Sequence, residues 1–265
     1  MSASDLIFIV GRQRSGTTVF RNLLADYGAL DCGEIFHGNL NSDLRFYRYV
    51  LSRMESAPHL VNPELHRGLF LDYIEYLRQK SGGRKIAIDV KYFALNRIPT
   101  REDVDNSEPF LIKFMQNKNP HVVHICRRNK LRVLISEQMA KKTGQWGAGG
   151  SGQLPGDKPK LNVEPQQAID FINWQILQDR KVMQMLASVR GMGRLFYEEM
   201  FDEQEKFSED VVQITKKMLD LDAVSREPRQ IKLNPEPISA LVENFKELAA
   251  AVDASEHRWM LYDNE

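Results

Sequence analysis

The sequence predicts an α/β fold, in which a central, mostly parallel sheet forms the middle of three layers and helices flank it. Short apolar runs alternate along the chain with longer segments of helical periodicity, as strands and crossover helices do in parallel sheets. The first apolar run leads through a glycine loop into an amphipathic helix. No internal repeat or strong linker is visible in the 265 residues, so we expect a single domain over 1–265.

Strands are predicted from short apolar runs, and helices from apolar residues that recur three and four positions apart. On this basis we expect strands at 6–10, 85–92, 121–126 and 194–197. We expect helices at 16–27, 63–80, 109–116, 129–142, 165–190, 209–219 and 237–252. The last of these has the most continuous apolar stripe in the chain and begins with a proline at its first helical position. Residues 29–45 are punctuated by glycine and polar residues and are expected to form a loop.

Composition narrows the classes of function. The 36 basic and 36 acidic residues cancel, so no net field favours a nucleic acid partner. No segment approaches the ~20 consecutive apolar residues of a membrane span, so no transmembrane segment is expected. Without a signal-peptide pattern, the cytoplasm is the expected location. The two cysteines are too few for a disulfide framework and lie outside metal-ligand spacings, so no metal site is predicted.

The loop after the first strand reads GRQRSGTT. The spacing from Gly11 to Gly16 is that of the nucleotide-binding P-loop, G-x-x-x-x-G-K-[ST], whose backbone amides and helix dipole bind phosphate. The fold is therefore expected to be P-loop-like, but Thr17 occupies the position of the P-loop lysine. A plain turn with Ser/Thr capping is the alternative interpretation. The candidate residues for holding a phosphate-like group are Arg12, Arg14, Ser15, Gly16, Thr17 and Thr18.

Two further segments carry candidate chemistry. Arg127 and Arg128 follow the strand at 121–126, and Ser136 lies in the helix behind them, so an arginine and this serine could bind a second phosphate. The alternative is a basic amphipathic helix with a solvated face. In the segment CGEIFHG, Glu34 or His37 could act as a general base toward a hydroxyl, or Glu34 could be a turn or ion-pair residue.

Taken together, these motifs resemble a known family. RSGTT after an apolar strand, with R-R-N-x-L-x-x-x-x-S after a later strand, resembles the sulfotransferases that use 3′-phosphoadenosine 5′-phosphosulfate (PAPS). The bacterial carbohydrate sulfotransferases of the nodulation-factor type are the more similar branch. The resemblance covers most of the chain, and the segments GEIF, TGQW and LFYEEM are also similar to pieces of that group.

The resemblance implies transfer of a sulfuryl group from PAPS to a hydroxyl of a carbohydrate or glycolipid, without a metal and with adenosine 3′,5′-bisphosphate as product. It places the 5′-phosphosulfate on the loop residues from Arg14 to Thr18, and the 3′-phosphate on Ser136 with either Arg127 or Arg128. It implies Glu34 as the base, with His37 as the alternative. Lys91 resembles a lysine at the same place in the family, without an assigned role.

Other interpretations remain open from the residues alone. The glycine spacing also suits a P-loop NTPase or kinase-like enzyme, and a non-catalytic module that binds a nucleotide or glycan would need the same residues. Residues 144–160 are glycine-rich and expected to form a mobile loop that contacts the acceptor. Trp146 at its start either stacks on a sugar or anchors the preceding helix. The sequence does not indicate an oligomeric state.

Overall fold

The structure is a computed structural model that describes residues 5–99, 108–146, 158–228 and 234–262. Its five strands form one sheet in the spatial order β2-β3-β1-β4-β5, and each pairing between neighbouring strands is parallel. The strands are β1 (Leu6–Gly11), β2 (Leu30–Glu34), β3 (Ile86–Lys91), β4 (His121–Cys126) and β5 (Gly193–Phe196). The predicted α/β fold with a parallel sheet is therefore confirmed.

Helices connect successive strands along the chain, as in parallel sheets, and short 3₁₀ turns are left out of the numbering used here. The described helices are α1 (Thr17–Asp26), α2 (Phe46–Met54), α3 (His66–Ser81), α4 (Phe110–Lys118), α5 (Lys130–Thr143), α6 (Pro165–Leu186), α7 (Glu209–Leu219), α8 (Ile238–Leu241) and α9 (Phe245–Asp253). Among them, no helix is both long enough and apolar enough to span a bilayer.

The chain divides into two compact units. The first contains residues 1–126 and 182–226, and the second contains 127–181 and 227–265. In the first unit the sheet is covered on both faces. The β1 side chains Leu6, Phe8 and Val10 pack with α2, α3 and α4, whereas Ile7 and Ile9 pack with α1 and α7. This alternation is what a parallel strand buried on both faces requires.

The second unit has its own apolar core. Side chains of α5, the first part of α6, α8 and α9 meet there, with Leu131, Ile172 and Leu248 among the fully buried ones. The single domain predicted over 1–265 stays a prediction. Most of the expected mobile loop at 144–160 lies outside the described residues, which resume at Lys158.

Two sequence expectations were wrong. Residues 29–45 were expected to be a loop, but 30–34 form the edge strand β2. The helix expected over 237–252 is broken between α8 and α9. Val242 is extended (φ −113°, ψ 127°) and forms a bridge with Leu161. The Leu161 amide donates to the Leu241 carbonyl at 2.8 Å, and the Glu243 amide donates to the Leu161 carbonyl at 2.7 Å. These tertiary hydrogen bonds replace the helical ones that the apolar periodicity predicted.

Candidate phosphate-binding site

The two glycines of the loop are explained by close packing. Gly11 ends the central strand β1, and a Cβ there would lie 2.5 Å from Cγ2 of Thr17 and 2.8 Å from the Ile125 carbonyl oxygen. Gly16 has φ +92°, and a Cβ there would lie 2.6 Å from the ring of Tyr197. Both distances are too short for any larger residue, so the Gly11-to-Gly16 spacing is a steric requirement of this turn.

The loop between them is tight and leads directly into a helix N-terminus. Ser15 is buried, and its hydroxyl donates to the Arg12 carbonyl at 2.6 Å. Arg14 has φ 64°, in the left-handed region that a side chain seldom adopts. Helix α1 then begins at Thr17, so the positive end of its dipole lies at the loop. A strand, a tight turn with left-handed residues and a helix N-terminus together form a cradle suited to an anion.

Lys91 brings a positive charge to the place where the P-loop lysine is missing. It is the last residue of β3 and is paired in register with Gly11. Its ammonium donates to Oγ1 of Thr17 at 2.5 Å and to Oδ2 of Asp89 at 3.0 Å, and its side chain is only 4% exposed. Thr18, in contrast, has an exposed side chain. A lysine from the neighbouring strand thus contacts the residue that replaces the usual lysine.

Glu34 lies beside the same ammonium. It ends β2, and a register shift between Asp31 and Glu34 marks a bulge, with Gly33 at φ +66°. Its Oε1 is 3.5 Å from Nζ of Lys91, and its side chain is 25% exposed. Its buried Oε2 has no hydrogen-bond partner within the described part of the chain. The bulge therefore places the Glu34 carboxylate beside Lys91, which contacts the loop.

His37, the alternative base, lies in a different environment. Its Nδ1 accepts from the Asn39 amide at 3.0 Å and contacts NH1 of the half-buried Arg45 at 3.0 Å. Because both partners donate, the neutral ring carries its proton on Nε2.

The predicted second phosphate site falls in the second unit. Asn129 caps α5, because its side chain accepts from the Arg132 amide at 2.9 Å, and its amide nitrogen donates to the Met260 carbonyl at 2.8 Å. Arg127 and Arg128 directly precede this cap, and Ser136 is buried in the second turn of the helix. The cap confirms the predicted start of the helix. The assignment of Arg127, Arg128 and Ser136 to a 3′-phosphate remains a prediction.

Two residues beside the loop were missed by sequence reasoning. Asp89 on β3 is fully buried, and Arg21 on α1 bridges it to Asp31, with NH1 at 3.2 Å from Oδ2 of Asp89 and Nε at 2.8 Å from Oδ1 of Asp31. The available signal was the pattern of KIAIDVK, in which Asp89 and Lys91 alternate with apolar residues. In a parallel strand covered on both faces, charges at such positions have to be paired.

Comparisons with known proteins give no matching sequence and one distant structural similarity to report. No family model matches the chain, and no curated protein sequence matches it. Among solved structures, the chain is similar to shikimate kinase from Bacteroides thetaiotaomicron, with 14% identity over 82% of this chain and 98% of that chain, and a TM-score of 0.40. A similarity of this size says nothing about the reaction that this chain performs.

Proposed function

We propose that this chain is a sulfotransferase that moves a sulfuryl group from PAPS to a hydroxyl of an acceptor, a carbohydrate, glycolipid or other small molecule. The paired motifs RSGTT and R-R-N-x-L-x-x-x-x-S support the donor. The observation that carries the proposal is the contact of Lys91 with both Thr17 and Glu34 at the glycine loop. That contact places a cation and a candidate base beside one anion cradle.

The proposed roles follow from the charges of the reaction. Sulfuryl transfer, like phosphoryl transfer, leaves negative charge on the departing oxygen, so catalysis depends on positioning and electrostatic stabilisation. The loop amides, Arg14 and the Lys91 ammonium would stabilise the departing 5′-phosphate. The Glu34 carboxylate would accept the proton of the acceptor hydroxyl.

Glu34 suits the role of base better than His37. Its Oε2 has a lone pair that no described residue uses, and proton transfer needs such an atom. The only ring nitrogen of neutral His37 that could accept a proton is Nδ1, which already faces Asn39 and Arg45.

A magnesium-dependent kinase or NTPase is the competing function. Such enzymes bind the metal through a loop hydroxyl and an available carboxylate. Here Thr17 occupies the position of the P-loop lysine, and Oδ2 of the buried Asp89 carboxylate accepts from Lys91 and Arg21. This arrangement favours a donor whose charge is neutralised by side chains.

The proposal is tested by Glu34→Gln, with Glu34→Ala as a second variant. Both remove the base, and we expect sulfuryl transfer from PAPS to fall by about 10²–10⁴-fold. Binding of adenosine 3′,5′-bisphosphate should stay within about threefold of the unchanged protein, because the loop is intact. His37→Gln is the control and should keep its activity. Full activity of Glu34→Ala would show that Glu34 is not the base.

A further inference from the structure

The buried carboxylate of Asp89 is the least expected group in the first unit. It lies within β3, in register between Ile9 of β1 and Glu34 of β2, and its side chain is 0% exposed. Its Oδ2 accepts hydrogen bonds from Lys91 and Arg21, while its buried Oδ1 has no hydrogen-bond partner among the described residues. Burial of a carboxylate is costly unless its charge is paired, so this position calls for a specific explanation.

Strand geometry explains what Asp89 can do. Side chains two positions apart point to the same face of a strand, so Asp89 and Lys91 both lie on the α1 side of the sheet. Ala87, on the same face, belongs to the apolar cluster formed with α1. Asp89 is therefore placed to hold the long, flexible side chain of Lys91 along this face.

Two carboxylates, those of Asp89 and Glu34, lie close enough to compete for the Lys91 ammonium. Nζ is 3.0 Å from Oδ2 of Asp89 and 3.5 Å from Oε1 of Glu34. If Asp89 lost its charge, the nearest remaining carboxylate would be Glu34, and the ammonium would shift toward it. A tighter Lys91–Glu34 ion pair would engage the candidate base and move the cation away from Thr17.

Arg21 keeps Asp89 in place. It lies four residues after Thr17 on α1, one helical turn along the same face. Its guanidinium contacts Asp89 through NH1 and Asp31 through Nε, and its side chain is 15% exposed. Asp31 thus fixes the guanidinium that contacts Asp89. Asp89 is bound by two cations, Arg21 and Lys91, and of these two only Lys91 contacts the glycine loop.

We propose that Asp89, held by Arg21, is a positioning residue that keeps the Lys91 ammonium on Thr17 and prevents its 3.5 Å contact with Glu34 from closing to a direct hydrogen bond. The proposal rests on the proposed function for its catalytic consequence, but the position of Lys91 can be measured without any substrate. Asp89 itself contacts neither donor nor acceptor in this account and acts only through Lys91.

The structural test is a ligand-free crystal structure of Asp89→Asn beside that of the unchanged protein. We expect Nζ of Lys91 to leave Thr17 and to approach Oε1 of Glu34 from 3.5 Å to about 2.8 Å, the distance of a direct charge-assisted hydrogen bond. Asp31→Asn is the matched control, since Asp31 contacts Arg21 and the Gly33 amide, and it should leave Lys91 on Thr17. A Lys91 that remains on Thr17 in Asp89→Asn would overturn the proposal. If Asp89→Asn does not fold, Asp89→Ser, which also removes the charge, should produce the same shift.

The kinetic test is a double-mutant cycle with Lys91→Met. We expect Asp89→Asn to lower kcat for transfer from PAPS by about 10–100-fold with little change in KM, because a misplaced cation affects mainly the transition state. In the Lys91→Met background the same substitution should have almost no further effect. Asp89→Glu should restore part of the activity. Equal losses in both backgrounds would mean that Asp89 has only a structural role.

The two tests separate this inference from the proposed function. If Lys91 shifts as expected but the unchanged protein transfers nothing from PAPS to any hydroxyl, the positioning role stands and the sulfotransferase proposal fails. If the unchanged protein transfers sulfuryl groups but Lys91 does not shift in Asp89→Asn, the sulfotransferase proposal stands and the positioning role of Asp89 fails.

Discussion

At the residue scale, the site combines groups that were visible in the sequence with groups that were not. The loop residues were predictable because they are contiguous, and their spacing follows from the two glycines. Glu34 was predictable because it follows α1 closely. Asp89 and Arg21 were not, because their contact joins residues 68 positions apart and no local spacing encodes it. Lys91 was noticed at a strand end, but only its contact with Thr17 suggests a role.

Arg14 offers a test of strain in the loop. Its φ of 64° costs about 1–2 kcal/mol relative to an ordinary conformation, a cost that glycine does not have. We expect the free energy of unfolding of Arg14→Gly to exceed that of Arg14→Ala by about 1 kcal/mol. Both variants lose the guanidinium, but only glycine removes the cost of the left-handed backbone conformation. Denaturant titration measures the free energy of unfolding.

The same pair of variants separates stability from binding. Both should lose most of their affinity for adenosine 3′,5′-bisphosphate, measured by calorimetry, because both lack the guanidinium. Tight binding by Arg14→Gly would mean that the loop backbone alone holds the anion and that Arg14 has no part in it.

At the element scale, periodicity predicted most helices and strands, and it was wrong where tertiary hydrogen bonds compete. The apolar stripe of 237–252 is continuous in sequence, yet the chain extends at Val242 to meet Leu161. Edge strand β2 was missed because LDCGE lacks both an apolar run and clear alternation. Its place in the sheet comes from pairing with β3, including the bulge before Glu34.

Asn244 tests what breaks the helix between α8 and α9. Its side chain accepts from the Val163 amide and donates to the Val163 carbonyl, each at 2.9 Å. Asn244→Ala leaves both backbone groups without these partners, so we expect the free energy of unfolding to fall by about 1–3 kcal/mol. Asn244→Asp keeps the acceptor and should lose about half as much. An unchanged stability of Asn244→Ala would show that the bridge at Leu161 alone sets the break.

At the scale of the whole molecule, composition and alternation of elements were enough to predict a parallel α/β sheet, because both faces of such a sheet must be covered. They did not predict two compact units, since no change in composition marks the three points, after residues 126, 181 and 226, where the chain passes from one unit to the other.

Stability should fall as the pH drops from 7 to 5, and His121 should be one cause. Partial burial, helped by Lys85 and Lys217, lowers the pKa of His121 below its usual 6.5. The unfolded chain therefore binds a proton first, and this group costs stability as the pH falls below about 6.5, by at most about 1.4 kcal/mol per pH unit.

Denaturant titrations at pH 7, 6 and 5 check this, with His121→Gln as comparator. The variant should lose less stability over this range than the unchanged protein. Carboxylates such as Asp43, Asp202 and Asp220 have pKa values lowered by hydrogen bonds and cations, so they lose their contribution only as the pH falls below their ordinary value of 3.8, outside this range. Parallel curves for the two proteins would show that His121 does not titrate in this way.

The central claim is that the glycine loop from Gly11 to Gly16, which lacks the P-loop lysine, binds the nucleotide of a sulfuryl donor. Calorimetric titration with adenosine 3′,5′-bisphosphate, with ATP and AMP as comparators and Arg14→Ala and Arg127→Ala as variants, tests it most directly. We predict micromolar affinity for the bisphosphate, weak binding of ATP, and loss of bisphosphate binding in both variants. Selective binding of ATP, or no binding of any of the three nucleotides, would contradict the claim.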